Sequence, residues 1–189
     1  MTRLQQTIDD AVATLRGLAD LEKPFARAVE MVSDCLLSGK KLLMCGNGGS
    51  ASDATHLATE FLCRFQNDRR SYPAISLTNN GELITAIGND YSFEEVFVRQ
   101  VQGLAGKGDV LIAFTTSGKS KNVSRALEEA RRMGVQSICF LGRDGGFTKG
   151  IATVDLLVKG GNTARIQEGQ KLLYHVLCEM VDERLPRGK

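Results

Sequence analysis

The chain has 189 residues, 42% of them hydrophobic and 24% charged, the size and balance of one folding unit with a full core rather than a fibrous or low-complexity protein. Its 24 basic and 22 acidic side chains are interspersed and leave a formal charge of +2, which argues against a surface built for nucleic acid or for an anionic membrane. No run reaches the eighteen or so apolar residues of a membrane span and the N-terminus lacks the pattern of a secretion signal, while five scattered cysteines (Cys35, Cys45, Cys63, Cys139, Cys178) suit reduced thiols better than a disulfide framework, so the expected location is cytoplasmic.

In chain order, Leu4, Ile8, Ala11, Leu15 and Leu18 recur at spacings of four and three and predict an amphipathic helix. Pro24 opens a second helix whose apolar stripe is Phe25, Ala28, Val29, Val32 and Leu36, so that residues 1–38 form a helical hairpin ahead of the main fold. Five short apolar runs follow: KLLMC (41–45), AISL (74–77), DVLIAF (109–114), SICFL (137–141) and VDLLV (154–158). Most lead through Gly, Asn or Ser into a helical stretch. This alternation predicts an α/β fold in three layers, a parallel five-stranded sheet covered by helices on both faces. No internal repeat or long linker divides the chain, so residues 1–189 read as a single domain whose last helix ends at Pro186 in the tail LPRGK.

Ligands of such sheets bind beyond the carboxyl ends of the strands, which directs attention to the loops after residues 45 and 114. In the first loop Gly46, Gly48 and Gly49 free the backbone to bring N–H groups near a ligand at a helix N-terminus, although the spacing is neither GxGxxG nor a P-loop and a plain strand-to-helix turn would look the same. The second loop, TTSGKS, sets the hydroxyls of Thr115, Thr116, Ser117 and Ser120 around Gly118 just before a helix that begins near Asn122. Capping needs one hydroxyl; four favour a phosphate.

On the helix after the first loop, Ala51, Ala54, Ala58, Phe61, Leu62 and Phe65 share the side expected to bury, leaving His56 and Glu60 nearly opposite. An isolated His and Glu at i, i+4 can be a solvated pair. In the last helix Ile166, Leu173, Val176, Leu177 and Met180 define the core stripe, with His175 off it and Gln167 two turns earlier on the neighbouring side. Both histidines of the chain therefore stand off apolar faces, each beside a carboxylate or an amide. Two imidazoles, a carboxylate oxygen and an amide oxygen suit a divalent metal such as zinc, without HExxH or CxxC spacing to support it, and proton transfer by Glu60 and His175 needs no metal.

The segments CGNGGSASDATHLATEF, AIGNDYSFEEVFVRQV, GDVLIAFTTSGKSKNV, ARIQEG and YHVLCEMV, in this order, resemble the phosphoheptose isomerases of the sugar isomerase (SIS) family. The resemblance runs from the N-terminal helices to the last helix. It implies a flavodoxin-like SIS domain, an N-terminal hairpin engaged in oligomerisation, and a homotetramer with active sites at subunit interfaces, which would explain why His56 and Glu60 face away from their own core. It implies substrate contacts at Asn47, Gly48, Gly49, Ser50, Asn89, Asp90, Thr115, Thr116, Ser117 and Ser120, and a zinc set of His56, Glu60, Gln167 and His175 whose His56, Glu60 and Gln167 also face substrate. The implied reaction converts sedoheptulose 7-phosphate to glycero-manno-heptose 7-phosphate through an enediol, with Glu60 as base and His175 as acid, in heptose biosynthesis. The chain departs from the family pattern at Thr115, Lys119 and Gln170, where serine, asparagine and histidine are usual. Two other readings carry the same phosphate loop: an isomerase of another phosphosugar, and a non-catalytic SIS protein regulating replication initiation, which lacks the Glu and His kept here.

Overall fold

The computed structural model describes residues 1–186. Among them five strands, β1 (Leu42–Gly46), β2 (Ala74–Ser76), β3 (Val110–Thr115), β4 (Gln136–Gly142) and β5 (Val154–Val158), pair in parallel in the order β2-β1-β3-β4-β5. The apolar runs become strands because both of their faces are wanted. Leu42, Met44, Ile112, Phe114, Ile138 and Phe140 enter one core, and the residues between them, Leu43, Cys45, Leu111, Ala113, Cys139 and Leu141, enter the other.

The first core is roofed by α1 (Arg3–Arg16), α2 (Glu22–Leu37), α3 (Gly49–Leu62) and α7 (Thr163–Asp182), and the second by α4 (Gly81–Asp90), α5 (Val98–Leu104) and α6 (Lys121–Arg132). The three predicted layers are present. The chain enters the sheet in its middle, passes to one edge through β2 and returns to β3, so β1 and β3 flank the point where the strand order reverses. Ligands of doubly wound sheets lodge at that crevice.

Four expectations need correction. The stripe of α2 is buried as predicted, but on α1 Leu4 is 69% and Ile8 46% exposed, so that half of the seam covers no part of its own core. On α3 Leu62 is exposed and Leu57 is buried in its place; the helix has already ended before Phe65, whose ring stacks on His175 with centroids 5.7 Å apart. The stripe of α7 is centred on Tyr174, Leu177, Cys178 and Val181, with Val176 and Met180 at its margin. The helix stops at Asp182, four residues short of Pro186, because Leu185 folds back into the core, and the last three residues of the LPRGK tail lie outside those described.

Candidate active site

Two helices of the same layer bring the polar groups together. His56 and Glu60 project one turn apart from α3, and His175 projects from α7, which lies beside it. One ligand atom from each of the three lies within 4.8 Å of the others. His56 Nε2 is 2.7 Å from Glu60 Oε1, and the two imidazole centroids are 5.3 Å apart. The His56 side chain is 40% exposed and that of Glu60 16%, a cluster that sits at the surface of this protomer rather than inside it.

The surroundings set the protonation of these groups. Burial, and then the neighbouring His56, push His175 below the ordinary histidine range against the opposing pull of Glu60, which favours the neutral ring able to ligate a metal. Burial and then Asp53 push the Tyr174 phenol up, so it stays protonated. Its hydroxyl lies 3.1 Å from His56 Nδ1. Burial also raises Asp53, with Lys171, 3.6 Å away, pulling the other way.

The donor set fits a divalent metal. Two ring nitrogens and a carboxylate oxygen are already gathered to within the spread a small shift of side chains would close around an ion, and nitrogen and oxygen ligands of this kind suit zinc. Gln167, the fourth predicted ligand, packs its amide against Gly49, so closely that any side-chain carbon at position 49 would overlap it. A side chain here would displace the Gln167 amide, and the contact ties α7 to the loop after β1.

The phosphate-loop candidates also gather. Thr115 Oγ1 donates to Ser120 Oγ at 3.3 Å and accepts from Gly118 N at 3.2 Å, while Ser117 Oγ accepts from Lys119 N at 3.1 Å. Gly118 adopts φ 62° and lies backbone to backbone with Gly145, leaving no room for a larger residue. Ser120 is the N-cap residue of α6, yet its hydroxyl makes no capping bond and remains available to a ligand. Thr116 sits half-buried beside it and Ser50 is buried in the first turn of α3. The two loops are joined by a reciprocal amide pair, Asn47 to Asn122 at 2.8 Å and Asn122 to Asn47 at 2.9 Å.

Asn89 and Asp90 stand apart. They occupy the exposed end of α4 in the opposite helical layer, bonded to each other at 2.9 Å, and among the described residues no hydrogen bond links them to the cluster. The departures at Lys119 and Gln170 also have positions. Lys119 is exposed, whereas Gln170 is fully buried and donates to the Phe140 carbonyl at 3.0 Å, turned to the sheet rather than to the histidines.

Several residues escaped the sequence reading. From sequence, Asn122 reads only as a helix start, and Tyr174 is assigned neither to the core stripe of the last helix nor to the site. Asp53 carried a readable signal, a carboxylate one turn before Leu57 on the buried side of α3. Thr55, Thr59, Thr78 and Asn79 line, with Ala51, Ser52, His56 and Glu60, a cleft of about 540 Å³. Their hydroxyls form a net: Thr55 Oγ1 lies 3.0 Å from both Ser76 Oγ and Thr78 Oγ1 and donates to Asn79 Oδ1 at 2.8 Å. Two of these, Thr78 and Asn79, come from the segment after β2, which carries no sequence motif.

Comparison with known proteins agrees with this architecture. Residues 7–142 match the family model described as SIS domain. A phosphoheptose isomerase of Geobacter sulfurreducens is 46% identical over 94% of this chain and 98% of its own length, and one of Nitratiruptor sp. is 51% identical over 79% and 80%. The solved structure of a phosphoheptose isomerase from Francisella tularensis superposes with a TM-score of 0.91 at 34% identity, covering 97% of this chain and all of the other. With that coverage and a matching five-stranded architecture, the chain belongs to the SIS-domain family and, within it, to the phosphoheptose isomerases, which are aldose–ketose isomerases.

Proposed function

We propose that this chain interconverts sedoheptulose 7-phosphate and glycero-manno-heptose 7-phosphate, a step of heptose biosynthesis in the cytoplasm. The observation that carries the reading is the convergence of His56, Glu60 and His175 from two helices at one edge of the crevice. The loop of Thr115, Thr116, Ser117 and Ser120 binds the phosphate, remote from the reacting carbons. Gly48, Gly49 and Ser50 bring backbone N–H groups and a hydroxyl at the positive end of α3.

Glu60 takes a proton from C1 of the ketose as the C1–C2 double bond forms and the C2 oxygen receives a proton from His175. The resulting enediol then gives up the O1 proton as the C1 carbonyl forms, and C2 is protonated to complete the aldose. One ring nitrogen of His175 can serve both oxygens in turn. Among the described residues only Oε1 of Glu60 is hydrogen-bonded, which leaves its other oxygen to work as the base. His56, Glu60, Gln167 and His175 would hold one zinc ion, and the ion when bound would polarise the substrate oxygens and so acidify the neighbouring C–H. Glu60 must then loosen from the ion, or share it, when it accepts the proton.

The assembly we propose is a homotetramer in which residues 1–38 pack between protomers and the sites lie at the interfaces. Support comes from the exposed apolar positions of α1 and from the exposure of His56. In it Asn89 and Asp90 would reach the substrate of a neighbouring protomer. The test is incubation of purified protein with sedoheptulose 7-phosphate, with and without a chelator, following aldose formation by NMR. Aldose should form, fail to form after chelation and return on adding zinc; no conversion in any arm rejects the reading.

A further inference from the structure

Tyr174 is fully buried, and a phenol so placed is destabilising without a hydrogen-bond partner. The partner it finds is not a backbone carbonyl but a ring nitrogen of His56, at 3.1 Å. Its ring is held from the other side by Phe114, edge-on at 6.1 Å, and by His175, edge-on at 4.6 Å. A ring packed so tightly cannot swing away from His56. Within reach of the same hydroxyl is the carboxylate of Asp53, only 4% exposed, whose Oδ2 is buried without a hydrogen-bond partner.

The bonds determine where the protons sit. The Glu60 carboxylate only accepts, so in a neutral His56 ring Nε2 must carry the proton it donates at 2.7 Å, and Nδ1 must accept from the Tyr174 hydroxyl. A metal taking the Nε2 lone pair requires the opposite tautomer. Nδ1 then carries the proton and donates it to the Tyr174 oxygen, and the phenol O–H turns to another acceptor. The neighbouring carboxylate of Asp53, which has a buried oxygen without a partner, would be that acceptor. Histidine ligands elsewhere are fixed by a carbonyl or carboxylate at the second nitrogen; here a phenol stands between the histidine and the carboxylate.

We infer that Tyr174, backed by Asp53, is a positioning residue that holds His56 with Nε2 aimed at Glu60 and His175, its hydroxyl reversing direction when a metal binds. The inference deepens the metal-dependent reading of the site and rests on it. It places a specificity for which nitrogen binds on a residue that itself touches neither metal nor substrate.

The test compares wild type, Tyr174→Phe and Asp53→Asn by ring ¹⁵N NMR without metal and by titration with Zn²⁺ and with Co²⁺, whose absorption reports ligand geometry. Only two histidines are present, and His175→Gln assigns them. Metal-free wild type should show His56 protonated at Nε2, with its Nδ1 resonance shifted by the bond from Tyr174; Tyr174→Phe, which keeps the ring, its packing and the Glu60 bond, should keep that tautomer and lose the Nδ1 shift. Zn²⁺ affinity should fall roughly ten- to a hundredfold in Tyr174→Phe, with an altered Co²⁺ spectrum. Asp53→Asn should leave the metal-free tautomer as it is and still weaken the metal. An unchanged His56 Nδ1 resonance in Tyr174→Phe overturns the inference, as does unchanged affinity in both variants. A wild type that binds neither ion rejects the metal reading, and the ¹⁵N comparison still decides whether Tyr174 fixes the ring.

Discussion

At the scale of single residues, the two halves of the site should separate in kinetics. Ser120 offers a hydroxyl free of any capping bond, so Ser120→Ala would remove the proposed phosphate contact without unseating α6. Because the phosphate is remote from the reacting carbons, its contacts act alike on ground and transition states; Ser120→Ala should raise KM about tenfold with kcat little changed. A fall in kcat instead would place Ser120 near the chemistry. Asp109 illustrates a residue that serves the fold alone. Burial by itself would raise its carboxyl, but bonds from Lys41 Nζ at 2.6 Å, Lys41 N at 3.0 Å and Gly106 N at 2.8 Å outweigh it and hold it below the ordinary range. A depressed folded value stabilises above the ordinary carboxylate range and ceases to do so as pH falls through it. Asp109→Asn should therefore cost about 2–3 kcal/mol at pH 7 in urea unfolding, the gap closing towards pH 3; an equal gap at both pH values would contradict an ionic origin.

At the scale of elements, the position of α3 against α7 decides whether His56, Glu60 and His175 meet. Arg69 joins the two. Its guanidinium, 4% exposed, donates to the Glu60 carbonyl at 2.8 Å and the Phe61 carbonyl at 3.0 Å, groups left bare by the end of α3, and to Asp182 of α7 at 2.7 Å. Removing one partner strands a buried charge. Arg69→Met should lose about 3–5 kcal/mol, and Arg69→Met with Asp182→Leu should lose less than the single change, measured by chemical unfolding. This joint was not legible in the sequence, because arginine and aspartate 113 positions apart have no local signature. The strands were legible, since doubly buried strands read as unbroken apolar runs, and their bounds came within one residue at every run. Of the candidate site, the off-stripe histidines were legible from helical periodicity, and the hydroxyl loop from its four hydroxyls ahead of a helix start. Tyr174 was hidden, and Asp53, though readable as an inward-facing carboxylate, had no role to assign, because a polar group that faces inward takes its meaning from a partner on another helix.

At the scale of the whole molecule, the unused seam of α1 is the surface that the proposed tetramer would cover. Leu4, Ile8 and Val12 stand four apart on one face and are 69%, 46% and 40% exposed, and Leu172 of α7 is 42% exposed. Periodicity announced this helix but could not say that half of its apolar seam would stay outside its own core. Wild type should sediment with a mass near four protomers, and Leu4→Glu with Ile8→Glu should shift it to smaller species and reduce isomerase activity with them. A wild-type monomer with full activity would contradict the interfacial site.

The claim beneath all of this is that Glu60 moves the carbon-bound proton. Its most direct test is the rate of aldose formation from sedoheptulose 7-phosphate in D₂O by wild type and by folded, metal-loaded Glu60→Gln. Wild type should give aldose carrying deuterium at C2, and Glu60→Gln should be slower by about 10²–10⁴-fold. Undiminished turnover by Glu60→Gln would contradict the account.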